Sequence, residues 1–264
     1  MKKLLLFFFA GLVVVNAQAQ KLPNVQQVSL RVPNNIKIDG RPDEWGKTLQ
    51  AYNAATEINY SVANDDKNLY LVVQATSWTV ITNIANGGIK LAVQKTGEKN
   101  DAGAPVIKFP YMVKSHIMIP PKGQANADAD AAMREDNKAL TKAKWIYTSG
   151  ITGVDSLISV YNDRGITVAH GVDIKRKYTL EMAIDLSLLN LSVVNASKFS
   201  YHLMVNAEPN RYSFKGIMNV VKSISNNTPG GLTAAQLRNI EGFENSTNNS
   251  TATTDFWGEY TLAK

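Results

Sequence analysis

The run Leu69-Tyr-Leu-Val-Val-Gln-Ala75 decides the fold class of this 264-residue chain. Its side chains fall into two alternating sets, one of Leu69, Leu71, Val73 and Ala75, the other of Tyr70, Val72 and Gln74. A period of two indicates a β-strand, because successive side chains of a strand point to opposite faces. The same alternation recurs over Tyr178–Leu186 and Ser200–Ala207.

Shorter segments between these runs have the same character. The further predicted strands are Val28–Val32, Ile36–Ile38, Ile58–Val62, Ile89–Gln94, Lys108–Val113, Ile117–Ile119, Lys144–Thr148, Leu157–Tyr161, Thr167–Val172 and Tyr260–Leu262. Many short strands broken by Gly, Asn and Asp are typical of an all-β protein with two packed sheets. The sequence therefore predicts an antiparallel β-sandwich.

Turns and helices are few and short. Asp39-Gly40 predicts a tight turn, and 64–68 predicts a hairpin loop between two strands. The predicted helical segments are one turn around Leu188-Leu189 capped by Asp185 or Ser187, a short helix over Asp130–Leu140, and a start at Thr233 with capping-box spacing to Gln236.

Three polar segments read as long loops laid over the sandwich. They are Lys95–Pro105, Pro120–Ala143 and Lys222–Thr254. Loops of this length are either functional or disordered. Neither a repeat nor a clear linker interrupts the chain, so a single domain over 20–264 is favoured over two.

The first residues have the pattern of a secretory signal peptide. Lys2 and Lys3 precede an apolar run of twelve residues, Leu4 to Val15, which is followed by the small-x-small site Ala17-Gln-Ala19. A transmembrane anchor would need about 20 apolar residues, and no later stretch reaches that length. The sequence predicts a signal peptide over 1–19 and a periplasmic or secreted protein.

Charge and cysteine content exclude several classes of function. The formal net charge of +6 falls to +4 once Lys2 and Lys3 are removed, which is weak for a nucleic-acid binder. The densest basic run, Lys175-Arg-Lys177, lies between two predicted strands and is read as a solvated turn. The absence of Cys excludes thiol nucleophiles, disulfides, Cys-ligated zinc and the lipidated cysteine of a lipoprotein.

Four landmarks together resemble family 9 carbohydrate-binding modules. They are Ile36-Lys-Ile-Asp-Gly-Arg-Pro-Asp-Glu-Trp45, Asp65-Asp-Lys-Asn-Leu-Tyr-Leu-Val-Val73, Tyr178-Thr-Leu-Glu-Met-Ala-Ile-Asp-Leu186 and Phe256-Trp-Gly-Glu-Tyr-Thr-Leu262. The resemblance spans residues 36–262 and implies a jelly-roll sandwich of the kind found in carbohydrate-binding modules, with sugar as the ligand.

The sequence departs from that family at the sugar clamp. Family members that grip a sugar end hold it between two Trp rings, and the matching regions here, Ile84–Val93 and Asn245–Thr254, contain none. The landmark residues themselves have structural roles: Asp43 can cap a helical turn, and Trp45 is expected in the core. They explain a fold rather than an activity.

Aromatic residues elsewhere are the candidate binding residues. Flat rings on a surface hold sugars by stacking, and the candidates are Trp78, Trp145, Tyr147 and Trp257. Trp145 and Tyr147 share one face of a strand, whereas Phe256 and Trp257 point to opposite faces, so that one is core and the other exposed. The alternative is that all these rings fill the sandwich.

No pattern for catalysis, metal or cofactor stands out. Asn126-Ala-Asp-Ala-Asp130 lacks the Gly and Glu that an EF-hand needs at positions six and twelve. His116, His170 and His202 are far apart, and no nucleophile elbow, phosphate loop or zinc motif is present. We therefore expect a protein that is not an enzyme and has no cofactor.

Two function hypotheses follow. The first is an exported, non-catalytic protein that binds poly- or oligosaccharide by stacking on exposed aromatic residues, with Asn, Asp and Arg hydrogen bonds at the rim. The second is an envelope interaction or structural protein that keeps the sandwich and has lost the sugar site. An enzyme would need two opposed carboxylates in a cleft, which the sequence cannot place.

Overall fold

Two antiparallel sheets form the body of the molecule. The computed structural model describes residues 21–46, 48–95, 97–113, 117–120, 128–207 and 252–264. These residues form eleven strands, two α-helices and two 3₁₀ turns, which confirms the predicted antiparallel β-sandwich. The predicted signal peptide, the start at Thr233 and most of the third long loop lie outside the described residues.

The first sheet has five strands in the order β1-β2-β3-β9-β8. Its strands are β1 (Ala51–Asn53), β2 (Ile58–Asn64), β3 (Asn68–Ala75), β8 (Ile166–Val172) and β9 (Tyr178–Asp185). The predicted hairpin loop joins β2 to β3. Its Asp65 carboxylate accepts hydrogen bonds from the backbone N–H of Lys67 at 2.7 Å and of Asn68 at 2.6 Å.

The second sheet has six strands in the order β11-β10-β4-β5-β6-β7. Its strands are β4 (Ile89–Gln94), β5 (Val106–Phe109), β6 (Trp145–Ser149), β7 (Leu157–Ser159), β10 (Lys198–Val205) and β11 (Thr254–Thr261). β11 and β7 are therefore the edge strands of this sheet among the described residues.

The main core lies between the two sheets. Leu69, Leu71 and Val73 of β3 pack there with inward residues of the second sheet such as Leu91 and Leu203. The opposite face of β3 carries a smaller cluster, in which Tyr70 and Val72 pack against Trp45. Both faces of β3 are thus buried, in agreement with the apolar residues in both of its alternating sets.

Helix α1 (Trp78–Gly87) connects the sheets and was not predicted from the sequence. Its buried side chains Val80, Ile81, Ile84 and Ala85 recur at helical spacing on the core side. Helix α2 (Ala129–Leu140) confirms the predicted short helix, and the Asp128 side chain caps its first turn. No helix among the described residues is long and apolar enough to cross a membrane.

Three predicted strands are wrong. The segments Val28–Val32 and Ile36–Ile38 run beside the first sheet, and only Arg31 forms a bridge, to Asn64. Ile117–Ile119 is held by a side chain instead: the Asn86 amide accepts from the Ile117 N–H at 2.8 Å and donates to the Ile117 carbonyl at 2.9 Å. Ile117 and Ile119 are buried, but Val28 and Met118 are exposed, and these segments lack a partner strand.

Two predicted local roles are also corrected. Asp43 does not cap the 3₁₀ turn Asp43–Trp45, whose N-cap is Pro42 without a side-chain hydrogen bond. Arg176 is not a solvated turn residue, because its guanidinium forms a 2.9 Å ion pair with the buried Asp136 of α2. The cap at the second 3₁₀ turn (Leu186–Leu189) is Asp185, one of the two predicted candidates.

Candidate functional site

The outer face of the six-stranded sheet carries three of the four candidate aromatic residues. Phe256 and Leu203 point into the core, so alternation along β11 and β10 places Trp257 and His202 on the outer face. Ile146 is fully buried on β6, which places Trp145 and Tyr147 on that outer face as well. Phe256 is buried as one of the pair was predicted to be, whereas Trp257 is only partly exposed.

Trp257 lies flat on the imidazole of His202. The ring centroids are 4.4 Å apart and the ring planes differ by 10°. The two residues face each other directly across β11 and β10. The Leu262 N–H donates to the Ser197 carbonyl at 3.0 Å, so these two residues form a hydrogen-bonded pair of the ladder. Hydrogen-bonded and non-hydrogen-bonded pairs alternate along two antiparallel strands, which makes Trp257 and His202 a non-hydrogen-bonded pair, in which side chains lie closest. One face of the indole is therefore covered by the imidazole, and the residue as a whole is partly exposed.

Carboxylates lie at both ring nitrogens of His202. Nδ1 is 3.0 Å from Asp101 Oδ1, and Nε2 is 3.1 Å from Asp255 Oδ1. Asp101 also binds the Lys90 ammonium at 2.5 Å. Burial raises the pKa of Asp101, but the hydrogen bonds from Lys90 and His202 outweigh it and hold that pKa below its usual value. The charge of Asp101, beside the Trp257–His202 stack, is thus compensated by Lys90.

These side chains do not form a metal site. The two carboxylates lie on opposite edges of one imidazole, so their oxygens do not converge on a common point. Among the described residues, no group of three or more His, Asp or Glu side chains could hold a metal ion.

A groove of about 400 Å³ runs beside Trp257. The residues that line it come from the edge of β11, from the segment Val25–Ser29, and from two lysines, Lys99 and Lys198. Its size falls within the usual range of small-molecule sites. Lys198 forms a 2.7 Å ion pair with Glu259 at the rim, so the groove combines one flat ring with flanking polar groups.

The free edge of β11 forms one wall of this groove. The Ser29 hydroxyl donates to the Thr261 carbonyl at 2.6 Å, which shows that this carbonyl points away from β10. Backbone groups two residues apart on a strand point to the same side, so the N–H and C=O groups of Trp257 and Glu259 also point outward. No partner strand covers that edge among the described residues.

Gly258 is required for the position of Trp257. A Cβ atom at Gly258 would lie 2.2 Å from Cζ of Tyr201, whose ring lies directly beneath β11. Tyr201 is fixed there because its hydroxyl forms a buried 3.0 Å hydrogen bond with that of Tyr60. Any larger residue would push β11 off this ring and tilt the indole beside it.

Trp145 and Tyr147 belong to a second group of rings on the same sheet face. Trp145 is 40% exposed, and Tyr147 stacks on Tyr111, with 5.4 Å between ring centroids. The Tyr111 N–H donates to the Trp145 carbonyl at 3.0 Å, which ties the two strands' ends together. We call Lys108, Tyr111, Trp145 and Tyr147 the tyrosine patch.

A loop separates the tyrosine patch from Trp257. Residues 97–105 extend from β4 over the sheet, where Asp101 binds Lys90 and His202. Ala104 of this loop packs against Ala92 of β4 and Val106 of β5 in a small apolar cluster. The outer face therefore presents two aromatic regions rather than one continuous surface.

Trp78, the fourth candidate, lies elsewhere. It begins helix α1, is half-buried, and donates its indole N–H to the Ile119 carbonyl at 2.7 Å. This bond anchors the segment 117–120, and a role in binding sugar stays a prediction for this residue.

The landmark residues Trp45 and Glu181 form a structural anchor. The Glu181 carboxylate is fully buried and accepts three hydrogen bonds, from the Trp45 indole N–H at 2.7 Å, the Gly40 N–H at 2.8 Å and the Asp39 N–H at 3.0 Å. Burial raises the pKa of Glu181, and these donors oppose that shift. Trp45 is buried, as predicted, and the predicted turn at Asp39-Gly40 is confirmed.

The other histidine and calcium candidates have structural partners. The Nε2–H of His170 donates to the Leu140 carbonyl at 3.1 Å, and its Nδ1 accepts from the Tyr178 hydroxyl at 2.8 Å. Asp128 caps α2, while Asn126 and His116 lie outside the described residues. The residue that sequence reasoning missed is His202 as the partner of Trp257, although its position opposite Trp257 follows from pairing β10 with β11.

Comparisons with known proteins assign no family. No family model matches the sequence, and no curated protein sequence matches it significantly. A similar solved structure is a carbohydrate-binding module of family 9 from Caldicellulosiruptor kristjanssonii in complex with glucose. It is 10% identical, with a TM-score of 0.36, over 89% of this chain and 95% of that chain. A likeness of this degree assigns no ligand to the present protein.

Proposed function

We propose that this chain is an exported, non-catalytic protein that binds carbohydrate through aromatic residues on the outer face of the six-stranded sheet. Trp257 is the main binding residue, and Trp145 and Tyr147 form a second contact region. The observation that carries the proposal is the Trp257 indole, which is stacked on His202 and borders a groove of about 400 Å³.

The stack supports sugar binding because it fixes the ring before the ligand arrives. An exposed ring that rotates freely loses conformational entropy on binding, whereas a preorganised ring does not. The flanking polar groups suit sugar hydroxyls, since Lys99, Glu259, Gln27 and Ser29 all line the groove. Ligand sites commonly combine aromatic walls with a few such polar groups.

The carboxylates of this region support a binding role rather than glycoside hydrolysis. A glycosidase needs two carboxylates that face each other across the scissile bond. Here Asp101 is held by Lys90 and His202, and Asp255 lies on the opposite edge of the same imidazole. Export is proposed from the signal-peptide pattern of residues 1–19, which places the protein in the periplasm or outside the cell.

The test is glycan-array screening of the mature chain, followed by calorimetry with each oligosaccharide that binds. Trp257→Ala should weaken binding by about tenfold or more, or ~1.4 kcal/mol, because it removes the stacking surface. Tyr161→Ala is the matched control: it removes an aromatic side chain that is 79% exposed and that contacts Lys144 rather than the groove. The proposal is wrong if no glycan binds, or if both variants bind as the parent does.

The free edge of β11 favours one second candidate, docking of an extended peptide of an envelope protein. An unpaired strand edge can accept another strand through its backbone hydrogen bonds. Pull-down from envelope extracts with the mature chain distinguishes the two. A partner that binds equally well to the parent and to Trp257→Ala, in the absence of glycan binding, would favour the peptide.

A further inference from the structure

Two lysines face each other on the outer face of the six-stranded sheet. Lys90 of β4 and Lys108 of β5 are direct cross-strand partners in the register Ile89↔Phe109, Lys90↔Lys108, Leu91↔Ile107. Like charges directly opposite each other destabilise a sheet. A counter-charge, from the protein or from a ligand, relieves the repulsion within such a pair.

Only one of the two lysines has a counter-charge among the described residues. Lys90 binds Asp101 at 2.5 Å. No described carboxylate forms an ion pair with Lys108, and the charge that acts on its pKa is that of Lys90. Burial, and to a smaller extent the charge of Lys90, lowers the pKa of Lys108. Both therefore disfavour the charged form of its side chain.

The position of Lys108 is fixed despite this cost. Its stem lies over the backbone of Gly88, where a Cβ atom would come within 3.2 Å of Cε and 3.3 Å of Cγ. Its Nζ lies 5.6 Å from the centroid of the Tyr111 ring, and Tyr111 stacks on Tyr147. Tyr147 is in turn the cross-strand partner of Lys108, so Lys108 lies beside the two stacked tyrosines on the same sheet face.

We propose that the tyrosine patch is a second binding site, which takes an anionic group of an acidic carbohydrate, with Lys108 as the residue that binds the anion. The anion supplies the counter-charge that the described part of the chain does not. Trp145 and Tyr147 provide rings for the sugar, and the ammonium binds its carboxylate or sulfate. This inference rests on the proposed function, because it assigns a ligand class to one of the two aromatic regions.

The experiment compares acidic and neutral oligosaccharides of similar backbone on the mature chain by calorimetry. The probes are oligogalacturonate against neutral galacto-oligosaccharide, and sulfated dextran against dextran. The parent should bind at least one acidic probe about tenfold more tightly than its neutral match, and that preference should fall as salt is raised. The two pairs of probes distinguish carboxylate from sulfate.

Three variants locate the preference. Lys108→Met should abolish it, because Met keeps the apolar stem and removes the charge. Lys175→Met is the matched control, since it removes one positive charge from the exposed turn between β8 and β9, and it should leave the preference intact. Trp257→Ala should also keep it, because the groove lies beyond the loop 97–105.

The outcomes separate the two proposals. Equal binding of acidic and neutral probes, or equal loss in Lys108→Met and Lys175→Met, overturns the anionic site and leaves the proposed function standing. Failure of every glycan to bind overturns both. Displacement of the acidic probe by inorganic phosphate at equal concentration would show a simple anion site and would also overturn the assignment to carbohydrate.

Discussion

Two tryptophans of this protein are each paired with a titratable side chain, and the pairings have opposite consequences. Trp45 donates its indole N–H to the fully buried Glu181 at 2.7 Å. Trp257 instead presents a ring face to His202 at 4.4 Å. The first contact uses the polar atom of the indole of a buried Trp45, whereas the second supports one face of the ring of Trp257, which stays partly exposed.

Two of the four sequence landmarks come together around the buried Trp45. The Ile36–Trp45 and Tyr178–Leu186 landmarks meet at the Glu181 anchor, where Asp39, Gly40 and Trp45 donate to one carboxylate. These residues maintain the five-stranded sheet and its covering turn. The candidate binding residues lie on the other sheet, where the fourth landmark, Phe256–Leu262, supplies both the core residue Phe256 and the candidate Trp257.

The largest effect that we predict is a loss of stability on removing the Trp45–Glu181 contact, which should exceed the loss on removing the Trp257–His202 contact. Glu181→Ala leaves the Gly40 N–H and the Trp45 indole N–H buried without an acceptor, and each orphaned donor costs about 1–3 kcal/mol. We expect the free energy of unfolding, measured by urea titration, to fall by roughly 3–5 kcal/mol. Trp257→Ala should cost less than about 1.5 kcal/mol. Equal losses in the two variants would remove the distinction.

A smaller effect is the pH dependence of stability that His170 causes. Burial lowers the pKa of His170 to about 4, against about 6.5 in an unfolded chain. Its folded-state pKa is depressed, so the unfolded chain binds more protons between these values, and stability falls as pH drops from about 6.5 to 4. The loss amounts to about 3 kcal/mol. Above pH 6.5 His170 contributes no pH dependence.

The control for this prediction is His170→Gln, which keeps a donor for the Leu140 carbonyl. Urea titrations of both proteins at intervals from pH 7 to pH 4 should show a decline in the parent that is largely absent in the variant. Glu181 acts in the opposite sense, because its raised pKa makes stability fall as pH rises, and it is common to both proteins. A decline of the same size in both would contradict the assignment to His170.

The smallest expected effect concerns the uncompensated lysine. Lys108→Met relieves the repulsion with Lys90 and should raise the free energy of unfolding by a few tenths of a kcal/mol, up to about 1 kcal/mol. The same substitution at Lys90 should be destabilising, because it leaves Asp101 without its cation. Urea titration at low and high salt measures both, and a loss of stability in Lys108→Met would contradict the expected relief of repulsion.

The sequence predicts the sandwich well because period-two alternation is a local signal. The run Ile89–Gln94 matches β4 at both ends, and Asp130–Leu140 matches α2 to within one residue. Strand pairing is not local. Ile117–Ile119 has the composition of a strand, but only the fold reveals that the amide of Asn86 binds it instead of a neighbouring strand.

The candidate site is only partly predictable for the same reason. Trp145, Tyr147 and Trp257 can be placed on strand faces from alternation alone. The contacts that distinguish them depend on register: Trp257 opposite His202, and Lys108 between Lys90 and Tyr147. A glycine such as Gly258 gives no signal in one sequence, since its necessity comes from the Tyr201 ring beneath it.

The shared sheet has a consequence for long polymers. Trp257 on β11 and Tyr147 on β6 are separated by four strand spacings, or about 19 Å across a rigid support. Once one end of a polysaccharide has bound in the groove, the rest of the same molecule is present at high effective concentration at the tyrosine patch. Two individually weak contacts would then give avidity for chains long enough to pass around the loop 97–105, and short oligosaccharides would dissociate readily.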